Sequence, residues 1–265
     1  MPRSGKSRRQ ELILAELRVS RTIRVADLAE KFGTSTETIR RDLEELKSAE
    51  LINRTHGGAT SVPMGHEPSL SEREQMFLAE RRRIAERALA FLRPNDVVMI
   101  DSGTTTLEAA RAMSARLFSL TVITNSYPAA AMLAINPMLR VLMPPGEFSA
   151  PESMVGGSET NEFIRRFNAN LCITGASGIT IGGPADANLE ATRLKRTMIT
   201  RSHKAIVLAD HSKFDRYALE TVCPWSEVDV VITDRMPSDT FKEIFELQGV
   251  ELIVAGEEDD VAQGD

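Results

Sequence analysis

Long apolar runs are missing from this sequence: no stretch approaches the roughly 20 residues that a membrane-spanning helix requires. The chain is expected to make no membrane contact. Cysteine is nearly absent too. Cys172 and Cys223 alone are too few for a disulfide framework or a cysteine-rich zinc centre, and they fit a reducing compartment. Aromatic residues are 5% of the chain, which argues against a single-strand nucleic-acid platform built on base stacking. The opening "MPRSGKSRRQE" is basic but lacks the apolar core and cleavage site of a secretory signal, so a cytoplasmic protein is expected. What is present is ordinary globular material: 42% hydrophobic and 26% charged residues over 265 positions, enough for one or two cores.

The net charge of −6 conceals an uneven distribution. Residues 1–60 hold 12 Lys and Arg against 9 Asp and Glu, whereas the remainder holds 20 against 29. The excess lies in Arg3, Lys6, Arg8, Arg9, Arg18, Arg21 and Arg24, which face only Glu11 and Glu16. A basic end on an acidic body suits a DNA-binding module attached to a separate domain, and it equally suits a solvated tail. Patterning separates the two.

Ile13, Leu14 and Leu17 share one helical face, and Val25, Leu28, Ala29 and Phe32 recur at i, i+3, i+4 and i+7 before Gly33. A third helix starts in "TSTETIRRDLEEL", where Thr34 with Glu37 matches a capping box and Ser35 is a competing N-cap. Ile39, Leu43 and Leu46 form its inward stripe. Three short helices with a tight turn between the last two make a helix-turn-helix, with Thr36, Thr38, Arg40 and Arg41 as candidate base readers or phosphate clamps. "ELINRTHGGAT" follows as an extended wing carrying Arg54 and His56.

"TSVPMGHEPSL" then separates two patterned regions as a Pro- and Gly-containing linker. "SEREQMFLAERRRIAERALAFLRPND" predicts one long helix stopped by Pro94. Beyond it, "VVMI", "LTVIT", "LRVLM", "NLCIT", "AIVLA", "VDVVIT" and "ELIV" alternate with helix-length segments, which predicts a mostly parallel sheet with helices on both faces. Ligands of such sheets bind at the carboxyl ends of the strands. There lie "DSGTTT", "NSYP", "GASGI" and "DHSKFD". Gly103 permits close approach, and Ser102, Thr104, Thr105 and Thr106 offer hydroxyls beside a helix N-terminus that attracts anions. Lys195 and Lys213 suit a phosphate, and Asp210 suits sugar hydroxyls.

"TIRRDL" and "RTHGGA" resemble the N-terminal winged helix-turn-helix of the DeoR family of bacterial transcription regulators. "IDSGTTT", "LTVITNS", "TGASGI", "LKRTMI", "LADHSKFD" and "VDVVITD" resemble that family's C-terminal sensor domain, which is similar in fold to ribose-5-phosphate isomerase and CoA-transferase subunits. The resemblance implies a recognition helix from Ser35 to Ala49. Its DNA-facing set would be Ser35, Thr36, Thr38, Arg40 and Arg41, with Arg54 and His56 on the wing. It also implies a phosphorylated sugar or related metabolite as effector, held by Asp101, Ser102, Gly103, Thr104, Thr105, Thr106, Asn125, Gly175, Ser177, Lys195, Asp210 and Lys213. The chain departs from the family pattern at Glu50, where Gly is usual, and at Pro144-Pro145, where a glycine pair is usual. It also lacks the Thr expected after Gly in "GGPADAN" and carries Arg81 where Lys is common.

The expected architecture is therefore α/β: a winged helix-turn-helix at 1–60, a linker at 61–75, and a Rossmann-like sensor domain at 76–265. The expected function is a DNA-binding regulator, a repressor by the family's habit. It would act on double-stranded operator DNA as a homodimer or homotetramer, with no cofactor, metal or catalytic residue. The alternatives are a sugar-phosphate isomerase with an appended DNA-binding domain, for which Asp101 and Asp210 are the available bases, and a constitutive DNA binder with a vestigial pocket.

Overall fold

The computed structural model describes residues 5–48, 52–61, 69–74, 76–117 and 119–256. The chain divides into two compact units, Met1–His66 and Glu67–Asp265. Arg3, Ala49, Glu50 and residues 62–68 and 75 of the expected linker lie outside the described residues.

In the first unit the order is α1 (Gly5–Val19), β1 (Thr22–Arg24), α2 (Val25–Lys31), α3 (Thr36–Ser48), β2 (Ile52–Thr55) and β3 (Gly58–Ser61). Ile13 and Leu17 of α1, Val25, Leu28 and Ala29 of α2, and Ile39, Leu43 and Leu46 of α3 are buried together, with Ile23, Ile52 and Ala59 from the strands. The 3.6-residue spacing thus places every apolar stripe on one core. Ser35 caps α3, its Oγ accepting from the Thr38 amide at 3.1 Å. The Thr34–Glu37 capping box does not form, because Glu37 lies beside Arg40 and Arg41 instead. Two members of the basic N-terminal cluster are internal struts: Arg9 donates through Nε and Nη2 to the buried Asp42, and Lys6 reaches Glu45 at 2.7 Å. They clamp α1 onto α3.

The wing is a hairpin of β2 and β3 with Thr55 opposite Gly58, and β1 pairs with the other edge of β3. This third strand is too short to announce itself in the sequence. Gly58 is obligatory there, since a Cβ would lie 1.8 Å from the Ile23 carbonyl oxygen.

The second unit begins with a helix that is not continuous. It comprises α4 (Leu70–Arg73) and α5 (Leu78–Ala88), not the single long helix expected. Ser69 and Glu72 form a capping box on α4, and Phe77 then takes a left-handed φ of 51° as the N-cap of α5. A bulky residue in that region breaks helical propagation. The Phe77 ring is held edge-on to His211, with 5.0 Å between centroids.

The elements that follow are β4 (Val97–Ile100), α6 (Thr104–Ser114), β5 (Leu120–Thr124), α7 (Tyr127–Leu133), β6 (Leu139–Leu142), β7 (Glu147–Ser149) and β8 (Met154–Gly156). After these come α8 (Ser158–Arg165), β9 (Ala169–Gly175), β10 (Gly178–Thr180), β11 (Gly183–Asp186), α9 (Leu189–Thr200) and β12 (Ser202–Leu208). The unit closes with β13 (Glu220–Thr221), β14 (Val230–Thr233), α10 (Asp239–Gln248) and β15 (Glu251–Val254).

All seven apolar runs enter one parallel sheet, ordered β15-β14-β12-β9-β4-β5-β6. Alternate residues serve opposite layers: Val98 and Ile100 pack with Ile84, Ala110 and Met113, while Met99 packs with Leu194, Met198 and Phe241. The winding direction reverses between β4 and β9, which is where a doubly wound sheet opens a crevice for ligand. Short β7–β8 and β10–β11–β13 ribbons flank that edge.

The Gly58→Ala variant tests the close approach in the wing. The first unit should lose on the order of 1–3 kcal/mol, as overpacked sites do, while the unfolding of the sheet unit stays where it was. Chemical denaturation followed by circular dichroism measures both, and an unshifted first transition would contradict the contact.

Candidate functional site

The two strand ends at the reversal point are joined by one polar knot. Asp101, immediately after β4, accepts from Thr174 Oγ1 at 2.9 Å and from the Gly175 amide at 3.2 Å. Lys195 of α9 brings its ammonium to 3.0 Å from Asp101, 2.5 Å from Asp186 and 2.9 Å from the Gly175 carbonyl oxygen. An ammonium has three donors, and all three are used. Burial pulls Lys195 toward deprotonation, but the charges of Asp101 and Asp186 outweigh it and hold the ammonium above its ordinary value. Burial pushes the Asp101 carboxyl up, with Lys195 and Thr174 pulling the other way.

Around this knot lies a pocket bordered by Ser102, Gly103, Thr104, Thr105, Gly175, Ser177 and Lys213 among the expected residues, with Lys195 at its base. α6 starts at Gly103 with no side-chain cap and no acidic residue in its first turn. Its first amides therefore offer donors and a positive dipole end to the pocket. Thr106 plays a different part. It is fully buried, and its hydroxyl donates to the carbonyl oxygens of Asp101 and Gly103, closing the turn.

Asn125 is also internal: its Nδ2 donates to the Val155 carbonyl oxygen at 3.2 Å and its backbone carbonyl oxygen accepts from the Val155 amide, so it braces β8. Asp210 is fully buried against Arg81 Nε at 3.2 Å and the Ser212 amide at 3.1 Å. Burial acts to raise its pKa, yet the charges of Lys213 and Arg81 and the Ser212 hydrogen bonds prevail and keep it below the usual carboxylate range. The planar guanidinium of Arg81 serves two partners at once, since its Nη1 also donates to the Arg73 carbonyl oxygen at 2.6 Å.

Arg73, Glu152, Ala176, Asp186, Asn188 and Ala191 complete the pocket wall and were not singled out from sequence. Asn188 could have been, since it is the N-cap of α9, accepting from the Glu190 and Ala191 amides. Arg73 gave no signal because it sits in the stretch read as linker.

On the first unit, Arg40 and Arg41 project from α3 into solvent, and Ser35, Thr36 and the turn residue His56 are exposed. Thr38 is half-buried with its hydroxyl against Ser35. Arg54 lies half-buried along the wing, where it donates to the Gly58 carbonyl oxygen at 3.3 Å and approaches Glu44 at 3.8 Å. Among the described residues no helix is long and apolar enough to cross a membrane, and no cluster of three or more His, Cys, Asp or Glu is placed to hold a metal.

A helix-turn-helix with an arginine-bearing third helix, followed by a doubly wound sheet with a polar pocket at its reversal point, defines a DNA-binding regulator with a separate sensor domain. Residues 9–63 match the DeoR-like helix-turn-helix domain family and residues 77–235 the DeoR C terminal sensor domain family. The chain belongs to the DeoR family. It is 30% identical to a putative aga operon transcriptional repressor of Escherichia coli O157:H7, over 96% of both chains. It is 32% identical to the glycerol-3-phosphate regulon repressor of Escherichia coli K12, over 80% of this chain and 84% of that one. A ribose 5-phosphate isomerase A from Methanocaldococcus jannaschii resembles it at a TM-score of 0.39 with 14% identity, covering 52% of this chain and 55% of that protein.

Two consequences of the buried charges are measurable. Lys195→Met leaves two buried carboxylates without their counter-charge and should cost about 3–5 kcal/mol, read by denaturant unfolding at neutral pH; a loss no larger than that of a surface Lys→Met control would contradict the knot. Asp210 has a depressed folded pKa, so its stabilisation is complete above the unfolded value of about 4 and disappears as pH falls through the folded value. Asp210→Asn should therefore be less stable than the parent at pH 7 and show a shallower loss of stability below about pH 4.

Proposed function

We propose that the protein is a cytoplasmic transcriptional repressor that binds operator DNA through α3 and the wing, and whose operator affinity is lowered by a phosphorylated sugar or a related metabolite. The observation that carries the effector class is the uncapped N-terminus of α6 beside Lys213 in a pocket walled by hydroxyls. Backbone donors and one point charge suit a phosphate, while Ser177 and the acidic wall suit polyol hydroxyls. The name of the glycerol-3-phosphate regulon repressor is in keeping with that class.

A sensor is favoured over an isomerase by the state of the two candidate bases. Asp101 is engaged by Thr174, Gly175 and Lys195, and Asp210 by Arg81 and Ser212, so neither carboxylate is poised to take a proton from a sugar carbon. On the DNA side, Arg40 and Arg41 meet only exposed Glu37, and surface pairs of that kind are worth about 0–1 kcal/mol, so phosphates displace them at little cost. A winged helix of this size presents a small interface, which supports a dimer or tetramer on palindromic half-sites. Effector and DNA then weaken each other by the same factor, typically about 5–150-fold.

A thermal-shift screen of phosphorylated sugars and polyols, paired with operator retention in a gel assay, tests the reading. A ligand that raises the melting temperature and releases DNA supports it; absence of any such ligand removes its support. Arg41→Ala should abolish most operator binding and flatten its salt dependence while leaving the ligand shift intact. Lys213→Ala should do the reverse, holding DNA whether or not the ligand is present.

A further inference from the structure

Arg73 falls between the two stretches that match the DeoR family domains, 9–63 and 77–235, yet its side chain is buried in the wall of the pocket. α4 is what puts it there. The Leu70 amide donates to the Pro151 carbonyl oxygen at 3.0 Å, and Arg81 grips the Arg73 carbonyl oxygen while its Nε holds Asp210. The backbone of Arg73 is thereby tied through Arg81 to Asp210, and its guanidinium crosses to Glu152 Oε2 at 2.6 Å. Glu152 is carried on a loop whose next residue, Ser153, has a φ of 47°, and that loop is pinned by the Tyr127 amide on the Ser153 carbonyl oxygen. Non-glycine residues in this region of backbone space persist where the surroundings enforce them, and they collect at ligand clamps.

The planar fork of a guanidinium can take two oxygens of a phosphate at once, and a phosphate monoester brings more charge than a carboxylate. We propose that Arg73 is an anion-binding residue of this pocket, and that an anionic effector binds by replacing Glu152 on its guanidinium. This rests on the reading of the pocket as the effector site, and it narrows the ligand. The anionic group bridges the α6 N-terminus, Lys213 and Arg73, and the displaced Glu152 carboxylate accepts hydrogen bonds from hydroxyls on the remainder of the same molecule. A phosphate monoester of a polyol meets both demands.

The test is titration of the full-length protein with inorganic phosphate at constant ionic strength, followed by calorimetry and melting temperature. Arg73→Gln should weaken phosphate at least about tenfold, the loss expected for a charged hydrogen bond. Glu152→Gln, which keeps the shape of the side chain but removes the competing charge, should tighten it. Lys213→Ala should weaken it as well. If Arg73→Gln binds phosphate like the parent while Lys213→Ala does not, Arg73 is structural and the pocket reading stands. If Glu152→Gln leaves phosphate affinity unchanged or weaker, the exchange is overturned even where Arg73→Gln proves too unstable to measure. A parent protein that binds no phosphate overturns both the exchange and the pocket reading.

Discussion

The ammonium of Lys195 is the point on which the second unit is assembled. It draws together the end of β4 through Asp101, the end of β9 through the Gly175 carbonyl oxygen, and the end of β11 through Asp186. Burying an ion costs several kcal/mol, so such a knot persists only with every donor and acceptor engaged. Here Thr174 and the Gly175 and Asn188 amides supply the remaining donors. Two carboxylates share one ammonium, so the knot carries one negative charge in excess when both are ionised, while the upward push on Asp101 comes from its burial.

That excess shapes the pocket above it. An anion is not drawn down to Lys195, whose donors are spent. The same pocket lining also carries the α6 N-terminus, Lys213 and Arg73. The small residues of "DSGTTT" consequently divide their labour. Ser102, Gly103, Thr104 and Thr105 border the pocket, Thr106 locks the turn, and Asp101 belongs to the knot.

Patterning made the parts legible and left the partners hidden. The seven strands were readable because each is a short aliphatic run, buried throughout in β9's core and in β14 and more exposed at the edge strands β6 and β15, and the first unit's helices because their stripes recur at helical spacing. Strand order was not readable, since a run of Val and Ile says that a strand exists but not beside which other it lies. The break at Phe77 was invisible for a related reason: a left-handed phenylalanine is imposed by His211 and the surrounding packing rather than by local propensity. Charge counting gave the sign of the N-terminal segment, yet Lys6 and Arg9 turned out to hold α1 against α3. Arg73 was passed over because it fell where the linker bounds met the start of the predicted long helix, while the capping box of α4 and the bond from Arg73 to the distant Glu152 are facts of the folded chain.

The arginines of this protein form a graded series, and the grading bears on which of them a ligand can reach. Arg41 and Glu37 are 78% and 62% exposed, so water and salt already compete for that pair and little holds it together. Arg81 and Asp210 are 3% and 0% exposed; separating them would strand two charges in the interior, which makes the pair part of the frame. Arg73 and Glu152, at 7% and 21%, lie between. The arginine is desolvated enough for a new partner to matter, and the glutamate is near enough to solvent to be released without stranding. An exchangeable contact needs that combination, and among these three pairs only the one at the pocket wall has it.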